Sequence, residues 1–307
     1  MQCIRPIKAS FNYKGEITFS QKDAIQGLVG FAIPCNKCLA CRLNKAREKA
    51  IRCVHEAQMH EDNIFITLTY SDENLKSPKL QYEDFQLFMK RLRKHTNNKI
   101  NYMVTGEYGE KTKRPHWHAI IFNWLPSDAV PLYTSDRGDK VYESKALNSL
   151  WGLGKTEFGS VTIDSAGYVA RYSAKKLVHG NDGDHDYEPI HRTSKLTPIG
   201  KTWLEKYWKH IFKTGYIVLP NGEKTGIPRY YTDWFKKNHP EEYLCYISEV
   251  RSEIQKGAEK KSRTEELDYV SQCLSYRRPG LRPLTRAKIK DTILKSKFKQ
   301  LQERLKI

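Results

Sequence analysis

The apolar positions change period along this chain, and each change marks an element. Between Leu39 and about His60 there is neither Pro nor Gly, and Leu43, Ala46, Ala50, Val54 and Ala57 recur every three to four residues. That spacing predicts a helix. Residues 63–70, NIFITLTY, are rich in β-branched and aromatic side chains between polar clusters and predict a strand. After the break at Pro78, Tyr82–His95 sets Phe85, Leu87, Phe88, Met89 and Leu92 on an apolar side, with Lys90, Arg91, Arg93 and Lys94 at a basic end. This is the pattern of an amphipathic helix. Strands over about Ile100–Gly106 and His116–Trp124 flank the turn-rich segment EYGEKTKRP, which predicts an antiparallel hairpin. Residues 126–160 are punctuated by Gly and Pro around one helical piece at Ser144–Leu150. A strand at about 158–163 then precedes a helix near Ser165–Val178. A polar loop over 180–200, a helix at Trp203–Phe212 and a helix-rich tail complete the chain, and residues 1–33 read as loops and short strands.

The order β–α–β–β–α with short connections predicts an α+β fold, an antiparallel sheet flanked by helices. Around it lie a Cys-rich N-terminal segment with a basic helix (1–60), a central domain (61–180) and a helix-rich basic C-terminal region (181–307). With 39% hydrophobic residues and 35 aromatic ones, the chain is no disordered polymer. Its 53 Lys+Arg against 35 Asp+Glu give a net charge of +18, more than solubility requires, and point to a polyanionic partner. An acidic membrane is the weaker option. No window approaches the ~18 uncharged apolar residues of a span, and MQCIRPIKASFNYKG lacks the apolar stretch of a signal peptide. A cytoplasmic location is expected.

Three groups of residues carry chemistry. His116 and His118 flank Trp117 on a predicted strand, so both imidazoles face one side and Trp117 the other. Glu107 lies nine residues upstream, where a hairpin can bring its carboxylate beside them; Glu110 competes for that place. Two imidazoles and a carboxylate would leave open positions on a metal ion for phosphate oxygens and water. In GYVARYSAKK (167–176), Tyr168 and Tyr172 are four apart on a predicted helix, with Lys175 and Lys176 next to the same face. Read plainly, this is a helix with aromatic core contacts and solvated lysines. Beside a metal that polarises a phosphodiester, a tyrosine hydroxyl of ordinary pKa near 10 becomes a usable nucleophile, and an ammonium can stabilise developing charge.

The third group is Cys35, Cys38 and Cys41, with Cys3 or Cys53 as a fourth member. In a reducing compartment this spacing suits a structural Zn²⁺ or a set of free thiols. Gly154-Lys155-Thr156 suggests a phosphate loop, but position 149 is Ser where that motif requires Gly, so the segment reads as a turn. Residues 277–307 carry 11 Lys+Arg against 2 Asp+Glu, either a solvated basic helix or a phosphate-contacting arm. Tyr230, Tyr231, Trp234 and Phe235 could stack unpaired bases or simply pack a helix.

FITLTY, RPHWHAIIF and YVARYSAKK, in that order, resemble the three motifs of the HUH endonucleases that initiate rolling-circle replication, in the two-tyrosine branch. The opening PCNKCLACR with its basic helix further resembles the replication initiators of gokushovirus-type microviruses, small single-stranded DNA phages. The resemblance covers roughly residues 1–180 and implies an HUH/RRM-like palm. It implies Mg²⁺ or Mn²⁺ bound by His116, His118 and Glu107, with Tyr172 as first nucleophile, Tyr168 as second and Lys175 assisting the phosphate chemistry. The basic residues Arg114, Arg171, Lys176, Arg277, Arg278 and Arg282 are the expected DNA contacts. The implied reaction is nicking of single-stranded origin DNA to a 5′-phosphotyrosine and a free 3′-hydroxyl, with host helicase and polymerase as partners. Two rival readings remain: a non-catalytic single-stranded nucleic-acid-binding module, or a relaxase or transposase of the same chemistry.

Overall fold

Seven strands pair antiparallel throughout into the sheet that carries the predicted motifs. The structure, a computed structural model, describes residues 3–14, 16–26, 30–109, 112–135, 138–162, 165–167, 169–170, 190–194, 197–275 and 284–304. Numbered in chain order, β1 (Ile7–Phe11), β2 (Ile17–Thr18) and β3 (Phe31–Ile33) precede α1 (Leu39–Ala57) and β4 (Asn63–Thr69). Next come α2 (Tyr82–His95), β5 (Asn101–Tyr108), β6 (Pro115–Phe122), β7 (Val130–Thr134), β8 (Lys140–Glu143), α3 (Lys145–Trp151), β9 (Thr156–Ser160) and β10 (Ile190–Thr193). The large sheet has the order β10-β5-β6-β4-β9-β8-β7. This is the expected α+β architecture.

The chain forms two compact units, residues 46–252 and the paired segments 1–45 and 253–307. In the larger unit, strand alternation gives the sheet two apolar faces. On one, Ile64, Ile66, Leu68, Val104, Trp117, Ala119 and Ile121 are buried with Phe85, Phe88, Met89 and Leu92 of α2 and Leu147 and Trp151 of α3. On the other, Met103, Ile120 and Phe122 are buried with Ala46, Ala50, Cys53 and Val54 of α1 and with Ala166, Val169 and Ala170. The α1 residues on this face recur at helical spacing, as the sequence predicts. Beyond β10 come the helices Lys201–Thr214 (α4) and Arg229–Asn238 (α5) and the short helix Pro240–Cys245 (α6). Residues of α4 and α5 form a third cluster with Ile51. Tyr231 and Phe235 are buried in it, so these two aromatic residues pack a core and are not available to bases.

Trp117 anchors the first face. Its indole Nε1 donates to the Tyr70 hydroxyl (2.9 Å), which donates to Asp84 on α2 (2.9 Å). The ring lies over Gly106, its direct partner on β5. A Cβ at position 106 would sit 2.6 Å from the Trp117 ring and 2.9 Å from Leu80, so only glycine fits. Gly154, in the phosphate-loop decoy, is equally confined: a Cβ there would meet the Thr69 carbonyl oxygen at 2.3 Å. The segment is a turn packed on the end of β4, as read from the sequence.

Two features depart from the sequence reading. Residues 126–160 contain the hairpin β7–β8, whose strand Val130–Thr134 is exposed along its whole length and so has no alternation to detect. The segment 180–200, expected as a loop, contains β10, four residues that pair with β5 from Ile190↔Gly106 to Thr193↔Met103.

In the smaller unit, β1 pairs with β2 and β3, and the Phe11 and Phe31 rings lie 5.0 Å apart. Its C-terminal part holds the helices Ser252–Ser275 (α7) and Arg286–Arg304 (α8). Glu265 of α7 pairs with Arg286 and Lys290 of α8, and the Tyr269 hydroxyl donates to the Leu284 carbonyl.

Gly106→Ala should therefore destabilise the larger unit by about 1–3 kcal/mol through overpacking against Trp117, read from the midpoint of chemical denaturation. A variant as stable as the parent would show that the Trp117 ring does not constrain this position.

Candidate metal centre and its surroundings

The register of three strands assembles the predicted metal ligands. On β6, His116 lies between Thr69 of β4 and Glu107 of β5, and His118 lies between Thr67 and Thr105. Residues paired across a ladder project to the same face, so Glu107 and both histidines meet. His116 Nε2 is 3.0 Å from Glu107 Oε1, and His118 Nε2 is 2.9 Å from the same oxygen. The two rings are nearly perpendicular, at 87°, with centroids 4.9 Å apart. All three donor atoms lie within 4.8 Å of one another. Trp117 points to the opposite face, as expected. Glu110, the competing ligand, lies outside the described residues.

The back of each imidazole is also held. His116 Nδ1 is 3.2 Å from the Arg114 carbonyl. A carbonyl can only accept, so this nitrogen carries the proton and Nε2 is the one that faces Glu107. His118 Nδ1 is 3.0 Å from Thr67 Oγ1, and its ring stacks on Phe65 at 5.8 Å. Such partners fix the tautomer and ring orientation of a metal-binding histidine. Thr67 sits in the FITLTY strand, and its place directly across from His118 makes it the functional neighbour that strand alternation could have identified.

Glu107 is a buried carboxylate. Burial alone would raise its pKa, but the hydrogen bonds from His116 and then His118 outweigh it and hold the carboxyl at about 2. Two Nε2 atoms at hydrogen-bond distance from one carboxylate oxygen need positive charge between them, as protons or as a cation. The donor set fits a divalent ion with open coordination positions.

Around this centre, Arg114 Nε and Nη2 donate to the Tyr70 carbonyl (3.2 and 2.6 Å), and Nη1 donates to the exposed Asp72 (2.5 Å). It fixes the entrance to β6 on the end of β4. His191 of β10 aligns with His118 through Thr105, on the same sheet face. A cavity of about 290 Å³ is lined by Lys49, Arg52, Cys53, Met103, His191 and Ile199. The helical residues 165–167 and 169–170, in the segment where the sequence predicts the tyrosine-bearing helix, follow a reciprocal cap: the Ser165 N–H donates to Thr162 Oγ1 (3.1 Å) and the Thr162 N–H to Ser165 Oγ (2.8 Å). They pack on the histidine-bearing face through Ala166, Val169 and Ala170. Tyr168, Arg171, Tyr172, Lys175, Lys176, Arg277, Arg278 and Arg282 lie outside the described residues.

A second donor set lies in the smaller unit. Cys3, Cys35, Cys38 and Cys41 bring four sulfur atoms within 4.8 Å of one another. Cys53, the alternative fourth member, is buried in the larger unit with its sulfur 3.6 Å from that of Met103.

His116→Ala or His118→Ala should abolish Mn²⁺ binding to the full chain in a calorimetric titration, and Thr67→Val should weaken it about 10–100-fold. Affinity should rise with pH, because protons compete with the metal for the imidazole nitrogens, whereas Glu107, held at about 2, stays ionised. Equal Mn²⁺ affinity in parent and both histidine variants would exclude this centre.

A family profile for replication-associated proteins of the ORF2 type matches residues 63–177. Replication-associated protein VP4 of Bdellovibrio phage phiMH2K is 56% identical over 315 residues, covering 100% of both chains. Replication-associated protein ORF4 of Chlamydia phage 1 is 36% identical across 67% of this chain and 54% of its own length. Replication-associated protein ORF2 of Spiroplasma virus 4 is 30% identical across 83% of this chain and 87% of its own. No solved structure matches the chain. By these matches the chain belongs to this family of phage replication-associated proteins, the gokushovirus-type initiators its sequence resembles.

Proposed function

We propose that the protein starts rolling-circle replication by cutting single-stranded origin DNA with a tyrosine. The observation that carries this reading is the convergence of His116 Nε2 and His118 Nε2 on one Glu107 oxygen at 3.0 and 2.9 Å. That set offers an open side. The four-thiol set is closed and suits Zn²⁺ instead. A bound Mg²⁺ or Mn²⁺ would polarise the phosphodiester and hold it in line.

The protein's own residues do the rest. Glu107 stays ionised and buried, Thr67 and the Arg114 carbonyl keep both Nε2 atoms turned toward the substrate side, and Phe65 fixes the His118 ring. Tyr172 Oη attacks phosphorus: the Oη–P bond forms, the P–O3′ bond breaks, the phenolic proton leaves and the released 3′-oxygen takes one up. The product is a 5′-phosphotyrosine and a 3′-hydroxyl for a host polymerase. Lys175 steadies the charge developing on the phosphate. Tyr168, one helical turn away in the sequence, cuts the regenerated origin while Tyr172 holds the first end, and the two ends are then joined. The chain carries no complete phosphate-loop motif, so a host helicase unwinds the duplex, in the cytoplasm of the bacterial host.

Incubating the full chain with single-stranded origin DNA and Mn²⁺ should give a protein–DNA adduct that survives denaturation. Tyr172→Phe should remove most of it, Tyr172→Phe/Tyr168→Phe all of it, and His116→Ala should slow its formation by about 100-fold or more, in the range of lost metal-ion catalysis. Adduct formation by the double tyrosine variant would sink the assignment. Salt-sensitive binding without any adduct in the parent would favour the non-catalytic module.

A further inference from the structure

We propose that Cys3, Cys35, Cys38 and Cys41 bind one Zn²⁺ as four thiolates, and that this ion fixes the N-terminal segment on which a basic, phosphate-holding unit is built. The inference stands whether or not the chain cuts DNA.

The sulfur geometry fits one tetrahedral ion. A tetrahedral site with Zn–S near 2.3 Å has edges of about 3.8 Å. The Cys38 and Cys3 sulfurs are 3.9 Å apart, and all four lie within 4.8 Å. A disulfide needs about 2.05 Å, and all four thiols are free. A multi-iron cluster would spread its thiolates over different iron atoms and hold them further apart.

The fold explains how residues far apart in sequence meet. The pairing Ile7↔Ile33 between β1 and β3 runs the chain from Ile7 back toward Cys3 alongside Cys35. Asn36, at φ 58°, turns the backbone through the left-handed region into α1. Backbone N–H groups then point at sulfur: Cys38 N–H at Cys35 Sγ and Cys35 N–H at Cys3 Sγ, both 3.3 Å. Four protein ligands leave no open position, which makes the site structural.

Cys3 also lines a cavity shared with the C-terminal helices. A cavity of about 480 Å³ has Cys3, Ile4 and Pro6 on one wall and Ala287, Ile293 and Leu294 of α8 among its other lining residues. The same unit concentrates the charge. Residues 1–45 and 253–307 hold 22 Lys+Arg against 9 Asp+Glu, a net +13 of the total +18. Lys288, Lys290, Lys297 and Lys299 are exposed on α8.

Zinc should be measured by plasma mass spectrometry in the full chain carrying His116→Ala/His118→Ala, which removes the other metal centre. One zinc per chain is expected, lost in Cys35→Ser/Cys38→Ser, and Co²⁺ in its place should give the absorption of tetrahedral thiolate coordination. No zinc in the folded chain, iron in its place, or disulfides among these cysteines would overturn the site. For the basic unit, zinc is stripped from the parent chain by chelation and then restored. Residues 1–45 and 253–307 should become protease-sensitive while 46–252 resists. Affinity for single-stranded DNA should fall about tenfold or more with a shallower salt dependence, and both effects should reverse with zinc. Unchanged proteolysis and binding after complete zinc removal would overturn this role of the ion.

Discussion

Side chains alternate across a strand, so the register that sets Glu107 opposite His116 and Thr67 opposite His118 decides which face of the sheet becomes reactive. A slip of one residue on β6 would exchange the imidazoles with Trp117, Ala119 and Ile121. Those side chains are buried beneath α2 and α3. Exposing them would cost about 1.5–3 kcal/mol for each large one, and the imidazoles would enter an apolar layer. Gly106 adds a steric lock, since only its missing Cβ leaves room for the Trp117 ring. Glu107, His116 and His118 are thus placed by the packing of the opposite face.

The same strand changes character along its length. Toward Ile120 and Phe122, its second face is covered by α1 and the start of the helix at 165. Toward His116 the apolar cover gives way to Glu107 and both imidazoles. A carboxylate in so buried a place is costly unless paired, and here its partners are two nitrogens that can carry protons or share a cation. The electrostatic demand of Glu107 therefore favours a positively charged state of the site, as protons or a divalent ion would supply.

What could be read in the sequence was whatever a local window contains. α1, β4 and α2 each bury one continuous apolar face, so their periodicity is strong. The β5–β6 hairpin, buried on both faces, was legible instead from two β-branched and aromatic runs around a turn-rich segment, and the histidine spacing on a strand made a shared face predictable. The exposed strand Val130–Thr134 has no such contrast. β10, with His191 and Arg192 among its four residues, exists because β5 offers an edge to pair with, a fact outside its own sequence. The choice between Cys3 and Cys53 was open for the same reason. It depends on the pairing of β1 with β3, which brings Cys3 to Cys35, and on the apolar core around Met103, which holds Cys53 elsewhere.

Charge and chemistry have different structural requirements, and this chain separates them. The larger unit, residues 46–252, holds 31 Lys+Arg against 26 Asp+Glu, a near balance for its size. The convergence of His116 and His118 on buried Glu107 depends on close geometry, which a strongly self-repelling unit would strain. Affinity for a phosphate backbone asks for no such precision, only cationic side chains held at a sufficient density. Such a surface tends to push itself apart, and α7 and α8 bury few apolar side chains to oppose that: no residue of α7 is buried. Helices of this kind depend on ties such as the pairing of Glu265 with Arg286 and Lys290. Ion pairs near the surface contribute about 0–1 kcal/mol each, a weak tie against a net charge of +13.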